Sequence, residues 1–169
     1  YFMEGMKLAL DVYYYEDRAK TVGLLFQNWD DKEPIDIVEC FSDNIADYES
    51  GSFYKRELPC ILGLLDTLDL SKIDTIIVDG YVYLNNNKKG LGLYLSEHLP
   101  SNIKVIGVAK RSFIDTNAIK VIRGESNNPL YVTSIGLDPN VAAEYIKNMH
   151  GKYRLPHLLK LLDQKTREM

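Results

Sequence analysis

The sequence predicts an α/β fold in which one mixed sheet carries helices on both faces. Three observations predict it. The amino-terminal part holds three strand-like segments joined by short polar turns, as in an antiparallel meander. Two later segments, 75–78 (TIIV) and 104–109 (KVIGVA), are short and apolar, as strands buried on both faces are. Amphipathic helical segments separate and follow them. With 169 residues, 46% hydrophobic and 26% charged, the chain suffices for one domain with a substantial core and is too short for two ordinary ones. That composition excludes intrinsic disorder, and no apolar run approaches the ~20 residues of a membrane helix.

Taken in order, residues 6–15 (MKLALDVYYY) and 21–27 (TVGLLFQ) flank the polar stretch 16–20 and read as a β-hairpin. Residues 34–41 (PIDIVECF) supply a third strand paired with the second. A polar loop follows over 42–52 (SDNIADYESGS). Residues 53–68 place Phe53, Leu58, Ile61, Leu62, Leu65 and Leu68 near helical spacing, with Pro59 one turn in and able to bend the helix start. The TIIV strand ends at Asp79-Gly80. A loop rich in Asn and Lys (85–89) leads to a short helix over 90–99. After KVIGVA, residues 118–123 and 130–133 read as a further strand pair, and 139–149 and 155–167 as two amphipathic closing helices. No internal repeat or low-complexity segment is present.

Tyr1 and Phe2 precede Met3 and are read as an appended remnant, so the expected domain is 3–169. Cys40 and Cys60 lie in hydrophobic surroundings without Cys-x-x-Cys spacing, which implies buried, reduced thiols. No secretory signal is evident, so the expected compartment is cytoplasmic, without membrane association. His98, His150 and His157 are too scattered for a histidine-rich zinc site, so any metal would be held by carboxylates. The net charge of −4 conceals an asymmetry: residues 1–100 hold 9 basic and 18 acidic side chains, residues 101–169 hold 11 and 6.

Two acids occupy positions where core is expected. Asp11 interrupts an apolar strand and Asp79 terminates another. A carboxylate inside an apolar strand costs several kcal/mol unless it is paired or bound to a cation. Each has an ordinary alternative: Asp79-Gly80 as a turn, Asp11 on a solvent-facing side. Two acids on strands that can be sheet neighbours are more specific, and Glu57 on the first helix adds a third, or else is an exposed Glu favoured by the helix dipole. Carboxylates converging without histidines suit Mg²⁺ or Mn²⁺. The commonest task of such sites is phosphodiester chemistry. Lys110, directly after KVIGVA, is either a surface lysine or a fixed positive charge beside those acids.

The order of elements fits a ribonuclease H-like fold, and the motifs together resemble the endonuclease V family. The resemblance runs colinearly over most of the chain. Asp11 in LALDVYY corresponds to the family's metal-binding Asp on the first strand. The stretch 48–57 (YESGSFYKRE) is similar to the family's Tyr-Ile-Pro-Gly-Phe-Leu-x-Phe-Arg-Glu at Tyr48, Gly51, Arg56 and Glu57 without a gap. Val78-Asp79-Gly80 running on to Gly90-Leu91-Gly92 keeps the spacing of another family motif, Ile106-Gly107-Val108-Ala109-Lys110 is intact, and Tyr153-Arg154-Leu155-Pro156 closes the series. The resemblance implies that Asp11, Glu57, Asp79 and Asp163 surround Mg²⁺, for which Mn²⁺ can substitute, with Lys110 beside the reacting phosphate. It implies a wedge around Tyr48 that fills the gap left by an expelled base. Gly51, Phe53, Gly80, Leu91 and Phe113 would fall on the pocket receiving that base, where glycine lets backbone approach closely.

The chain departs from the family in its substrate loops. Asn85-Asn86-Asn87 replaces His-Pro-Arg, Glu49-Ser50 replaces the wedge's Ile-Pro, and Ile135-Gly136-Leu137-Asp138 lacks a basic pair. The leading expectation is a monomeric, metal-dependent endonuclease cutting near hypoxanthine in DNA or RNA and leaving 3′-hydroxyl and 5′-phosphate ends. The alternatives are a nucleic-acid-binding relative without lesion cleavage and a ribonuclease H-like nuclease with another substrate. The net acidity does not exclude nucleic acid, because Lys88, Lys89, Lys110, Arg111, Lys120, Arg123, Lys152 and Arg154 are expected to line the groove as a basic strip.

Overall fold

A hairpin opens the sheet: β1 (Met6–Tyr14) and β2 (Ala19–Phe26) pair antiparallel, from Lys7 opposite Phe26 to Tyr14 opposite Ala19. The computed structural model of the chain describes residues 5–43, 47, 54–85, 88–113 and 116–168. β3 (Asp36–Ser42) adds to β2 antiparallel, completing the meander. The chain then forms α1 (Tyr54–Leu65), β4 (Ile73–Asp79), β5 (Tyr83–Asn85), β6 (Lys88–Lys89), α2 (Leu91–Ser96), β7 (Lys104–Ala109), β8 (Ile119–Val121), β9 (Leu130–Ile135), α3 (Pro139–Lys147) and α4 (His157–Arg167). Among the described residues the main sheet has seven strands in the order β3-β2-β1-β4-β7-β9-β8. β1, β4 and β7 run parallel at its centre, and the other pairings are antiparallel.

Period-two alternation divides the sheet between two helical layers. Ala9, Ile77, Ile106 and Val108 pack under α3 and α4, against Ala142, Ile146, Leu158, Leu159 and Leu162. Leu8, Leu10, Ile76, Val78 and Val105 pack under α1 and α2, against Ile61, Leu64, Leu91 and Leu95. Leu64 and Leu95 are fully buried, and burial of that extent contributes about 2 kcal/mol per side chain. All eight residues of β2 are buried, because α1 covers one of its faces and α4 the other.

Several elements differ from their sequence-based bounds for local reasons. α1 stops at Leu65, where the Thr67 hydroxyl donates to the Leu64 carbonyl (2.7 Å). A 3₁₀ turn over Leu70–Lys72 follows, with the Asp69 carboxylate accepting from the Ser71 N–H. α4 starts at His157 rather than two residues earlier, because Pro156 occupies its N-cap. Within the loop expected over 85–89, Asn85, Lys88 and Lys89 belong instead to a small antiparallel ribbon of β5 and β6, too short to register as alternation. Both cysteines are free, Cys60 buried as expected but Cys40 only half-buried near the edge of the sheet. Among the described residues no helix is long and apolar enough to cross a membrane.

Candidate active site

Parallel pairing in register assembles the acids. β1 and β4 align Leu10 with Val78, which makes Asp11 and Asp79 next in line where the parallel pairing of the two strands ends, Asp79 as the last residue of β4 and Asp11 within β1. β4 and β7 align Asp79 with Val108, two residues before Lys110. Since Ala9, Ile77 and Val108 face α4, the side chains two residues later emerge toward α4 as well. Asp11, Asp79 and Lys110 accordingly line one cavity of about 30 Å³, closed by Leu155, Leu159 and Leu162. Asp163, one turn beyond Leu159 on α4, is half-buried, with Arg167 Nε 3.5 Å from its Oδ1.

The electrostatics are those of crowded carboxylates. Burial, and next the Asp79 charge, push the Asp11 carboxyl up from 3.8 to about 7, while Lys110 and the Val12 N–H pull it down and Asp163 adds to the rise. Asp79 reaches solvent, yet the protein packed around its carboxylate raises it above its ordinary value, with Lys110 opposing and Asp163 reinforcing. The Val12 N–H donates to Asp11 Oδ1 at 2.9 Å.

Glu57 arrives from the opposite layer. It sits in the first turn of α1, is 7% exposed, and accepts a hydrogen bond from the Tyr14 hydroxyl at 2.5 Å. Tyr14 differs in parity from Asp11, so it faces α1 while Asp11 faces α4. Burial raises the Glu57 carboxyl to about 8; the Tyr14 hydrogen bond opposes the rise, and the Asp11 and Asp79 charges reinforce it. The Arg56 guanidinium lies 3.5 Å from the centroid of the Tyr14 ring, a cation–π contact that fixes the ring from its other side. Tyr14 was not singled out in the sequence, although its parity with Leu8 and Leu10 placed it on the α1 face.

The turn after Asp79 depends on glycines. Gly80 has φ +124°, a conformation that favours glycine. A Cβ on Gly107 would lie 2.5 Å from the Gly80 carbonyl oxygen and 2.9 Å from the Val82 nitrogen. Gly107 therefore lets the 80–82 turn cross β7, where the Val82 N–H donates to the Thr133 hydroxyl at 2.8 Å. The Tyr81 hydroxyl donates to the Arg111 carbonyl (2.5 Å), and its ring lies 6.3 Å from that of Phe113. Gly80 and Phe113 thus border the same end of the sheet. Leu91 is 5% exposed and belongs to the core beneath α2. Tyr48, Gly51 and Phe53 lie outside the described residues, as do Glu49, Ser50, Asn86 and Asn87.

Two members of the expected basic strip are spent internally. Arg123 is 5% exposed and donates to five backbone carbonyls, those of Lys147, Met149, Gly151, Tyr153 and Arg154. Arg154 donates to the carbonyls of Asn128, Pro129 and Lys110. The sequence shows a charge at each position and not whether the fold turns it inward. The role of Arg154 is instead to tie the segment bearing Lys110 to the α3–α4 loop.

The donor chemistry fits a divalent cation. Asp11, Asp79, Asp163 and Glu57 are oxygen donors only, and the mutual repulsion of Asp11, Asp79 and Asp163 is what a cation would relieve. As they stand among the described residues, however, no three His, Cys, Asp or Glu side chains form a group compact enough to hold an ion.

A family model for endonuclease V matches residues 6–123. The chain belongs to the endonuclease V family. Its likeness to solved endonuclease V structures extends beyond that match, through α3 and α4. Human endonuclease V is 19% identical with a TM-score of 0.78, over 97% of this chain and 83% of that one. The Ciona intestinalis enzyme, solved with a 24mer DNA containing an inosine followed by a ribo-adenosine, is 17% identical with a TM-score of 0.80, over 96% and 84%. The Bacillus subtilis endonuclease V is 18% identical with a TM-score of 0.75, over 96% and 78%. At these identities the likeness establishes the ribonuclease H-like fold. No curated protein matches the chain significantly. This endonuclease V-family chain is accordingly of a nuclease family.

Proposed function

We propose that the protein is a Mg²⁺-dependent endonuclease, with Mn²⁺ able to substitute, that cleaves a phosphodiester near hypoxanthine in DNA or RNA. The observation that supports this reading is the register that turns Asp11, Asp79 and Lys110 of three parallel strands into one cavity, with the Asp163 charge felt from α4. Asp11, Asp79, Glu57 and Asp163 would hold the cation, which supplies Lewis acidity toward a phosphodiester. Lys110 offsets phosphate charge from the β7 side. Tyr14 holds one oxygen of Glu57 and so sets the orientation of that carboxylate. Because Asp11 and Glu57 exchange protons near pH 7 and 8, cation binding displaces protons and tightens as pH rises. Gly80 and Phe113 border the place for an unstacked base, with Gly51, Phe53 and Leu91 assigned to it by family resemblance and Tyr48 to the wedge.

The test is incubation with inosine-containing and adenine-containing strands, single and double, DNA and RNA, in Mg²⁺, Mn²⁺ or EDTA. Cleavage confined to inosine strands and abolished by EDTA is expected; equal cutting of both strand types would remove the specificity. A second reading, binding without cleavage, is favoured by the departures in the substrate loops: Asn85-Asn86-Asn87, Glu49-Ser50 and the basic pair missing at Ile135-Gly136-Leu137-Asp138. On that reading the inosine strand is bound but not cut in either metal.

A further inference from the structure

Behind the candidate active site lies a second concavity. An open groove of about 660 Å³ runs between the α3–α4 loop and the first turns of α4, lined by His150, Lys152, Tyr153, His157 and Lys160 among others. Among the described residues, none of its lining side chains is acidic. Tyr153 is 61% exposed, and the ammonium groups of Lys152 and Lys160 lie 5.4 and 5.5 Å from its ring centroid. The two ammonium groups hold an exposed ring between fixed positive charges, an arrangement open to a stacking partner that is itself anionic. Leu155 lines both this groove and the cavity of Asp11, Asp79 and Lys110, so the two are neighbours on either side of that side chain.

The groove is also built rather than incidental. Arg123 gives up solvent to bind five carbonyls over 147–154, Met149 at 2.6 Å and Gly151 at 2.9 Å among them. The His157 N–H donates to the His150 carbonyl at 2.9 Å, fastening the loop to the start of α4. With those carbonyls turned inward onto a guanidinium, the loop presents lysines and a ring outward in one fixed arrangement. Fixed cations beside an aromatic face are the recognition chemistry of a polynucleotide strand, phosphates on the lysines and a base on the ring.

We propose that this groove is a nucleic-acid subsite flanking the active site, in which Lys152 and Lys160 contact backbone phosphates and Tyr153 stacks a base of the strand being cut. It rests on the nuclease reading above and adds where that strand runs. The test measures equilibrium binding by fluorescence anisotropy, in EDTA and over a range of NaCl concentrations. The full chain is titrated with a long inosine-containing single strand and with a short one ending beside the inosine.

The Lys152→Gln/Lys160→Gln variant is expected to bind the long strand about tenfold more weakly. Its log-affinity against log-salt slope should be shallower by about 1.4, two phosphate contacts at ~0.7 each. The short strand should bind as it does to the parent. Tyr153→Ala is expected to weaken the long strand several-fold and Tyr153→Phe to restore it. If the double variant melts below the parent, each single lysine variant is read instead, with a slope change of about 0.7 expected. A parent that cuts inosine strands while the lysine variants keep its slope and affinity overturns the subsite and leaves the nuclease reading standing. A parent that neither binds nor cuts any strand overturns both.

Discussion

Two charged centres of this molecule are built on opposite terms. Arg123 is nearly sealed from solvent, and all its donors are satisfied by carbonyls of one loop. Asp11, Asp79 and Asp163 crowd together with one lysine; burial first, and the neighbouring acids after it, push the Asp11 carboxyl up to about 7 and raise that of Asp79 above its ordinary value. A satisfied buried charge organises structure; an unsatisfied cluster is a cost to the fold that a bound cation would remove. Arg123 is accordingly structural, and the acids with Lys110 are the centre left with charge to give to a ligand.

The comparison can be broken in four places. Largest is the expected loss of cleavage: Asp11→Asn or Asp79→Asn should lower the rate on inosine-containing strands by about 10³-fold or more. Both should fold as the parent does by circular dichroism. Cleavage retained in either would mean that the acids are not the reacting site.

Arg123→Ala should act in the opposite way, on stability. It orphans several buried carbonyls, at about 3 kcal/mol in all, which is a fall in Tm of roughly 6–12 °C. A thermal melt within a degree of the parent would show that the loop holds itself.

The acid cluster should next reveal itself through pH. A carboxyl whose folded pKa is raised, such as Asp11 at about 7 or Glu57 at about 8, holds a proton in the folded state that the unfolded chain has released. The contribution of these two protons to the stability of the metal-free protein is therefore fully present below about pH 4 and is lost as pH rises through 7 and 8. Asp11→Asn and Glu57→Gln should match the parent near the acid end and exceed its Tm at pH 8 by about 3–6 °C in EDTA. A variant no more stable than the parent at pH 8 would contradict the crowding.

Smallest is Tyr14→Phe. Losing one hydrogen bond to Glu57 should lower kcat about tenfold or less and raise the Mg²⁺ concentration needed for half-maximal rate, with strand affinity unchanged. A change in strand affinity alone would move Tyr14 from positioning Glu57 to touching substrate.

Much of the architecture was legible in the chain itself. Alternation and buried apolar runs identified β1 to β4 and β7, and amphipathic spacing identified α1, α3 and α4, because a strand or helix with one buried face writes its period into its own residues. The β5–β6 ribbon escaped because a pairing of so few residues has no period. Of the candidate residues, Asp11 and Asp79 stood out as acids in apolar strands, a conflict visible without any neighbour in space. Glu57 in the first turn of a helix and Lys110 at a strand end were weaker signals with ordinary alternatives, and the family resemblance added Asp163.

By itself, then, the sequence determined the layer order, the acids at the strand ends and the family to which the chain belongs. Only the tertiary structure decided what each charge does. Parity and register turned Asp11, Asp79 and Lys110 toward α4 and Tyr14 toward Glu57. Packing withdrew Arg123 from the basic strip and spent Arg154 on the carbonyl of Lys110. A local pattern records which face a residue takes, while the partner it finds there comes from an element elsewhere in the chain, and that meeting exists only once the layers have closed.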